Sequence, residues 1–195
     1  MIIFDLDVYV INLDRAKERM ETFDHRCKEI GQKYIRISAV DRNDLSIPES
    51  PGLGPGHLAC YLSHYNLWKR MLDKGYPFIC IVEDDAHLLR PIKDIQFEKP
   101  FDILFLTERI DMNKNFEVTG GCGTEGYIAS KQGCEKLLKI CDATHLPFDL
   151  RIIGFIRTCD HICTENDLLL DAYRSRVPYI KHLEGYSYID SEYKK

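Results

Sequence analysis

The alternation of strand-like and helix-like segments is the feature that most restricts how this chain can fold. Residues 8–13, VYVINL, form an apolar run with the length of a buried strand. Residues 14–30 then carry apolar side chains at helical spacing, and Gly31 follows as a residue that commonly ends helices. Residues 34–40 read as a second strand, so the N-terminal part of the chain predicts a βαβ unit with two parallel strands.

The rest of the chain continues this alternation. It is interrupted by a loop rich in Pro and Gly at residues 41–56 and by a polar insertion at 107–118. We expect further helices and strands over 57–75, 78–82, 101–106, 131–140 and 150–156, of which the second and third are strands. The pattern predicts an α/β fold with a Rossmann-type, mainly parallel sheet flanked by helices on both faces, and a single domain, 1–195.

The charge composition argues against one class of partner. The chain has 26 Lys and Arg against 31 Asp and Glu, a net charge of -5, and no basic run, so a nucleic-acid groove is not expected. Its longest strongly apolar run covers about six residues, whereas a membrane span needs roughly 20. The first ten residues lack the basic flank of a secretory signal, so we expect a cytoplasmic protein without a membrane span, and leave peripheral membrane association open.

The eight cysteines are numerous for such a protein. Several of them, such as Cys80 in FICIV, lie inside apolar stretches. Cysteine in such surroundings behaves as a small core residue, so we expect reduced thiols rather than a disulfide framework.

An acidic triplet, Glu83-Asp84-Asp85, follows the apolar strand FICIV directly. Ligands of open α/β sheets bind beyond the carboxyl ends of strands. If the chain stays extended there, Glu83 and Asp85 point to one side and Asp84 to the other. Two neighbouring carboxylates suit a hard cation such as Mg²⁺ or Mn²⁺. A solvated acidic turn explains the triplet equally well from sequence alone.

Two glycine-rich segments are further candidates for ligand contacts. GPGHLACYLSHYNLW opens a helix with glycines and places His57, Ser63 and His64 among apolar residues; taken alone, His64 is better explained as a hydrogen-bonded core residue. GGCGTEGYIAS leads into a strand, and its Thr124 and Glu125 either contact a ligand or simply end the insertion.

Two other patterns do not support their usual functions. Asp5 and Asp7 supply the two acids of the D-x-D-x-(T/V) pattern of haloacid-dehalogenase-type phosphatases, but they precede the apolar run instead of ending a strand. Cys159, His161 and Cys163 could ligate zinc, but no second pair of ligands with suitable spacing is present.

Several segments, taken in order, resemble glycosyltransferase family 25, which includes lipooligosaccharide and procollagen galactosyltransferases. The resemblance covers nearly the whole chain. The matching segments are VYVINLDRAKERM (8–20), AVDRNDL (39–45), PGHLACYLSHYNLWKRML (55–72), FICIVEDDAHL (78–88), FDILFL (101–106), GTEGYIASKQGCEKLL (123–138) and PFDLRI (147–152). His57 is a departure, because the family often has Glu at that position.

The resemblance implies a GT-A-like fold and an inverting hexosyl transfer, most simply of galactose, from a UDP-sugar donor with Mn²⁺ or Mg²⁺. Glu83 and Asp85 would hold the cation, with Asp84 near the ribose or also at the metal, and His182 as a third ligand. The first strand would lie near the uridine, together with Arg15 and Arg19. The residues that we expect at the donor are Val10, Asn12, Leu13, Arg15, His57, Ser63, His64, Asp84, Gly123 and Thr124.

Inversion needs a carboxylate that takes the proton of the acceptor hydroxyl. By resemblance this is Asp149, with Glu125 and Asp102 as alternatives. The acceptor would be a glycan, a lipid-linked glycan or a hydroxylysine-type side chain of a glycoprotein. A relative that binds sugar nucleotide or glycan without turnover is the alternative function.

Overall fold

Twelve strands and four α-helices make up the regular structure of the computed structural model, which describes residues 2–3, 6–44, 54–141, 147–159 and 166–182. The strands are β1 (Ile2–Ile3), β2 (Val8–Asn12), β3 (Ile35–Ser38), β4 (Phe78–Glu83), β5 (Ala86–Leu88), β6 (Gln96–Phe97), β7 (Ile103–Phe105), β8 (Ile110–Met112), β9 (Val118–Gly121), β10 (Gly126–Ser130), β11 (Ala172–Arg174) and β12 (Ile180–His182). The helices are α1 (Lys17–Ile30), α2 (Pro55–Lys74), α3 (Lys131–Ile140) and α4 (Phe148–Gly154).

A six-stranded sheet with the order β11-β7-β10-β4-β2-β3 forms the centre of the molecule. β2 pairs in parallel with β3 and β4, and β7 pairs in parallel with β11. β10 alone runs antiparallel to its neighbours in this sheet, β4 and β7. The prediction of a mainly parallel α/β sheet is therefore confirmed, with one reversed strand that the sequence pattern did not reveal.

The two faces of the sheet are covered by different helices, as alternation along β2 requires. Tyr9 and Ile11 belong to a core that includes residues of α2, α3 and α4. Val8 and Val10 belong to the opposite core, with Phe23 of α1. The prediction of helices on both faces is thus confirmed.

The ends of the helices follow from local sequence signals. α1 ends at Gly31, which has a φ of 69°. This left-handed conformation costs little free energy for glycine but more for other residues. α3 begins directly after β10, because the Ser130 side chain accepts a hydrogen bond of 3.0 Å from the Gly133 amide. The polar insertion at 107–118 contains β8 and leads into β9, and these two strands pair as a hairpin that the sequence pattern does not predict.

The carboxyl ends of β2 and β4 lie side by side, since Ile11 pairs with Glu83. Because β10 is reversed, its amino end lies at this same edge, with Gly126 opposite Val82. The β12–β5 ladder adds the C-terminal part of the described chain, with His182 opposite Ala86. Four distant stretches of sequence therefore meet at one edge of the sheet.

Asp102 and Asp7 lie at the other edge of the sheet, because each directly precedes a strand, β7 or β2, that runs parallel to β4. The Asp102 carboxylate is 3% exposed and accepts hydrogen bonds from Lys136 Nζ at 2.6 Å and from the Asp171 amide at 2.9 Å. This placement excludes Asp102 as the alternative catalytic base, and it separates Asp7 from the acidic triplet. Asp5 lies outside the described residues.

The seven cysteines in the described part of the chain are free thiols, and burial raises the pKa of Cys27 to about 12. Cys163 and His161 lie outside the described residues. No helix in the described part is both long enough and apolar enough to cross a bilayer.

Candidate functional site

Glu83, the last residue of β4, is held by contacts from α2 and from the segment before β10. Its Oε1 atom accepts a hydrogen bond of 2.9 Å from Thr124 Oγ1 and lies 3.4 Å from His64 Nε2. Its amide donates to the Glu125 carbonyl at 3.0 Å. Burial alone would raise the pKa of Glu83, but His64 and Thr124 outweigh it and lower the pKa below the ordinary value. Glu83 is therefore held as a carboxylate.

Asp84 faces the β2 side of the edge. Its Oδ2 atom accepts a 2.6 Å hydrogen bond from Asn12 Nδ2, and its Oδ1 atom forms an ion pair with Arg19. Burial raises the pKa of Asp84 despite these two partners. Asn12 and Arg19 thus stabilise a carboxylate that burial would otherwise disfavour.

Asp85 is the most strongly perturbed acid of the triplet. Burial, followed by the charge of Glu83, raises its pKa to about 7, even though Arg19 lies 3.0 Å from its Oδ2 atom. Its Oδ1 atom is buried and accepts no hydrogen bond from the described residues. A carboxylate that is buried beside another negative charge, with one oxygen lacking a hydrogen bond, is stabilised by binding a proton or a cation.

Glu125 approaches from the segment before β10. Thr107 Oγ1 donates to its Oε1 atom at 2.5 Å, and Arg109 Nη1 lies 3.6 Å from its Oε2 atom. Burial raises the pKa of Glu125. Gly123, with a φ of 111°, makes room for this carboxylate, because a Cβ atom there would lie 2.4 Å from Glu125 Oε2.

Two cavities meet at Glu83 and Asp85. The first, of about 100 Å³, combines apolar side chains with three arginines: its lining is Ile11, Leu13, Arg15, Arg19, Ala39, Val40, Arg42, Gly56, Ala59, Cys60, Ser63, Glu83, Asp84 and Asp85. The second, of about 170 Å³, is lined mostly by polar residue types: its lining is His57, Cys60, Glu83, Asp85, Arg109, Gly123, Thr124, Glu125, Phe148, Asp149 and His182. Glu83 and Asp85, together with Cys60, form the shared wall.

The chemistry of this wall fits a divalent cation. Three buried polar atoms that line the second cavity lack a hydrogen-bond partner among the described residues: Asp85 Oδ1, Glu125 Oε2 and His182 Nδ1. Next to them, Cys60, His64 and Glu83 each offer a ligand atom, all within 4.8 Å of one another. The structure therefore brings together both a hard set of oxygen and imidazole donors and a softer set that includes a thiol.

Most residues expected at the site reach one of these cavities. Leu13, Arg15 and Ser63 line the first, and His57, Gly123, Thr124 and His182 line the second. Ser63 also anchors the chain locally, since its Oγ atom accepts from the Val40 amide at 2.9 Å.

Three expected donor contacts are placed behind the cavity walls instead. Val10 is fully buried against the α1 side, because alternation along β2 turns its side chain away from the cavities. His64 is fully buried beneath Glu83, and Asn12, 2% exposed, reaches the site through Asp84. The expectation that these side chains contact a donor directly is corrected accordingly.

Sequence reasoning missed several residues of the site. Cys60 lies one helical turn before His64 on α2, so helical spacing could have grouped the two. Arg109 and Thr107 come from the insertion, whose path the sequence did not predict. Tyr127 lies in an apolar strand and carried no signal beyond packing.

Comparisons of the sequence with known proteins identify a family. The sequence profile described as "Glycosyltransferase family 25 (LPS biosynthesis protein)" matches residues 5–112, more than half of the chain. Over 123 residues the chain is 36% identical to the lacto-N-neotetraose biosynthesis glycosyltransferase LgtE of Neisseria meningitidis serogroup B, covering 56% of this chain and 41% of the relative. It is 25% identical over 172 residues to procollagen galactosyltransferase 1 of Danio rerio, covering 68% and 28%.

A solved structure supports the fold. The crystal structure of a glycosyltransferase involved in glycosylation of the major capsid of PBCV-1 aligns with a TM-score of 0.53 at 8% identity, covering 93% of this chain and 95% of that one. The matched curated relatives are longer proteins, since the matches cover 26 to 41% of their lengths.

Proposed function

Because the chain belongs to glycosyltransferase family 25, we propose that it is an inverting enzyme that moves a hexose, in the first instance galactose, from a UDP-sugar to an acceptor hydroxyl. The acceptor would be a glycan, a lipid-linked glycan or a hydroxylysine-type side chain. The observation that carries the proposal is the pair of cavities that share Glu83 and Asp85 as their wall.

The first cavity suits the nucleotide part of the donor. Ile11, Leu13 and Val40 provide apolar surface for a planar base, whereas Arg15, Arg19 and Arg42 provide positive charge for phosphate oxygens. The second cavity would then take the hexose and the acceptor, because it lies on the far side of the acidic wall.

Glu83, Asp85 and His182 would hold a divalent cation, Mn²⁺ or Mg²⁺. Their unpartnered atoms, Asp85 Oδ1 and His182 Nδ1, support this assignment. When bound, the cation supplies Lewis-acid stabilisation of the diphosphate leaving group. The softer set formed by Cys60, His64 and Glu83 suits it less, because burial keeps the pKa of the Cys60 thiol well above its ordinary value and hard cations prefer oxygen.

Asp149 is our choice for the catalytic base. It lies in the first turn of α4 and lines the second cavity while remaining partly exposed, so an acceptor hydroxyl can approach it. Glu125 lines the same cavity but is 3% exposed and held by Thr107 and Arg109. In the transfer, the acceptor oxygen bonds to the anomeric carbon, Asp149 takes the hydroxyl proton, and UDP leaves with the electron pair of the broken bond.

A donor screen tests the proposal. The protein is incubated with a panel of UDP-hexoses, with Mn²⁺ or with EDTA, and UDP release is measured with and without simple galactosyl acceptors. We expect release from one UDP-hexose that depends on the cation and falls at least about 100-fold in Asp149→Asn. Cation-dependent UDP binding without release from any donor would instead favour the alternative, a non-catalytic sugar-nucleotide-binding relative.

A further inference from the structure

A buried chain of polar side chains leads away from Glu83 into the core. His64, which is fully buried, lies with Nε2 3.4 Å from Glu83 Oε1 and with Nδ1 2.9 Å from the Tyr127 hydroxyl. The same hydroxyl oxygen accepts a 2.8 Å hydrogen bond from Trp68 Nε1. The His64 ring is stacked on Tyr127 at 5.7 Å and packs against Phe148 at 4.9 Å, so little room is left for it to turn.

The donors and acceptors of Trp68, Tyr127 and His64 together determine which ring nitrogen of His64 carries the hydrogen. An indole nitrogen can only donate, so Tyr127 accepts from Trp68. The Tyr127 hydrogen then needs an acceptor, and His64 Nδ1 is the one within reach among the described residues. A neutral imidazole that accepts at Nδ1 carries its hydrogen on Nε2, which faces Glu83.

The two carboxylate oxygens of Glu83 therefore have different roles. Thr124 Oγ1 donates a hydrogen bond to Oε1, and His64 Nε2, which makes no hydrogen bond to the described residues, lies 3.4 Å from the same oxygen, so that its hydrogen attracts the carboxylate electrostatically. Oε2 is left for the two cavities that Glu83 lines. Without these two contacts at Oε1, rotation about the last side-chain bond would exchange the two oxygens.

We propose that Trp68, Tyr127 and His64 form a positioning relay that locks His64 as its Nε2–H tautomer and presents Glu83 Oε2 to the ligand. The ligand is the cation and donor diphosphate, so this inference rests on the proposed function. None of the three residues touches the substrate. They act through Glu83, in the way that outer-shell partners orient metal-ligating carboxylates.

The relay also decides between two roles for His64. If His64 Nε2 instead bound a metal together with Cys60 and Glu83, it would have to lose its hydrogen, and His64 Nδ1 would become a donor. The Tyr127 oxygen would then accept twice, and its own hydrogen would lack an acceptor. In the relay arrangement the Trp68 and Tyr127 hydrogens both have an acceptor, and the His64 Nε2 hydrogen is carried 3.4 Å from the negative charge of Glu83 Oε1.

The first test measures the tautomer on the ligand-free protein. Nitrogen NMR of isotope-labelled histidine distinguishes Nδ1–H, Nε2–H and the cation, and the His64→Gln variant identifies which of the seven histidine signals belongs to His64. We expect Nε2–H in the wild type at neutral pH. An Nδ1–H tautomer, or a cation, would overturn the proposal.

The second test compares Tyr127→Phe with Tyr61→Phe. Each variant removes one buried tyrosine hydroxyl from the same aromatic cluster, but Tyr61 donates to the Cys141 carbonyl and not to His64. We expect Tyr127→Phe to weaken Mn²⁺-dependent UDP binding about tenfold, because His64 Nδ1 and Trp68 Nε1 lose their buried hydrogen-bond partner and the Nε2 hydrogen is no longer fixed beside Glu83. Tyr61→Phe should bind as the wild type does, with a similar loss of melting temperature.

The third test asks whether donation, rather than packing, is what His64 provides. Gln and Met have similar size and shape, but Gln can donate an amide hydrogen to Glu83 and Met cannot. We expect His64→Gln to keep most of the affinity and His64→Met to lose about tenfold. Equal affinities within either pair of variants would overturn the relay alone, whereas absence of Mn²⁺-dependent UDP binding by the wild type would overturn the proposed function with it.

Discussion

At the scale of single residues, Asp85 shows most clearly that the site is organised for a ligand rather than for stability. It is a buried carboxylate next to two others, with a pKa raised to about 7 and one oxygen that receives no hydrogen bond from the described residues. A folded protein gains nothing from such a group alone, because burial and like charge both oppose its ionisation.

Replacing Asp85 by Ala should therefore separate function from stability. We expect Mn²⁺-dependent UDP affinity, measured by calorimetry, to fall at least tenfold, since even loss of outer-shell partners of a metal typically costs about 10–100-fold. The melting temperature should stay the same or rise, because a repelled buried acid is removed. Asp73→Ala, an exposed change on α2, should alter neither quantity. Unchanged UDP affinity and unchanged Mn²⁺ dependence in Asp85→Ala would contradict the metal assignment.

The sequence predicted the acids of the site better than it predicted their partners. Glu83, Asp84 and Asp85 could be found because a strand leads directly into them. Arg19 belongs to a helix whose spacing alone is equally typical of a solvated face, and only the fold brings it to Asp84 and Asp85. Tyr127 was undetectable, because its partner His64 is 63 residues away in sequence and both lie in apolar segments.

At the scale of elements, the junction between β10 and α3 is the sharpest local signal in the chain. Ser130 is both the last residue of β10 and the N-cap of α3. One side chain thus ends a ladder and starts a helix without an intervening loop.

Ser130→Ala should destabilise the fold by about 1 kcal/mol, because the Gly133 amide loses its acceptor. Urea denaturation measures the difference, with Ser130→Asp as the matched control, since Asp is also a favourable N-cap. A midpoint in Ser130→Ala equal to that of the Asp variant would argue against the capping role.

Elements whose apolar residues repeat at regular spacing were predicted well from the sequence. Elements that depend on how distant strands pair were not. α3 was predicted with its observed bounds, 131–140, because its apolar residues repeat at helical spacing. The sequence does not predict the β8–β9 hairpin, since the register shifts between Asp111 and Met112 and the insertion that contains β8 is mostly polar. The antiparallel direction of β10 likewise depends on the path of the chain through that hairpin, which no local pattern encodes.

At the scale of the whole molecule, the two cavities and the acidic wall predict that ligand and cation stabilise the fold together. UDP at about 100 times its Kd should add about 2.7 kcal/mol to the free energy of unfolding. For a chain of this size that corresponds to a rise in melting temperature of roughly 5–10 °C. Differential scanning fluorimetry with UDP plus Mn²⁺ should show this rise, and either component alone should give much less. A full shift with UDP in EDTA would contradict joint binding.

The C-terminal strand pair gives the site an unusual dependence on distant sequence. β12 pairs with β5, and this ladder brings His182 opposite Ala86, directly after the acidic triplet. All six strands of the central sheet lie before residue 175. A chain released or cleaved just before Ile180 would hold every strand of that sheet yet lack one side of the second cavity. Because Ile180 is fully buried in the core on the α1 side, such a chain would lose packing as well, so the last described strand supports both the site and the sheet beneath it.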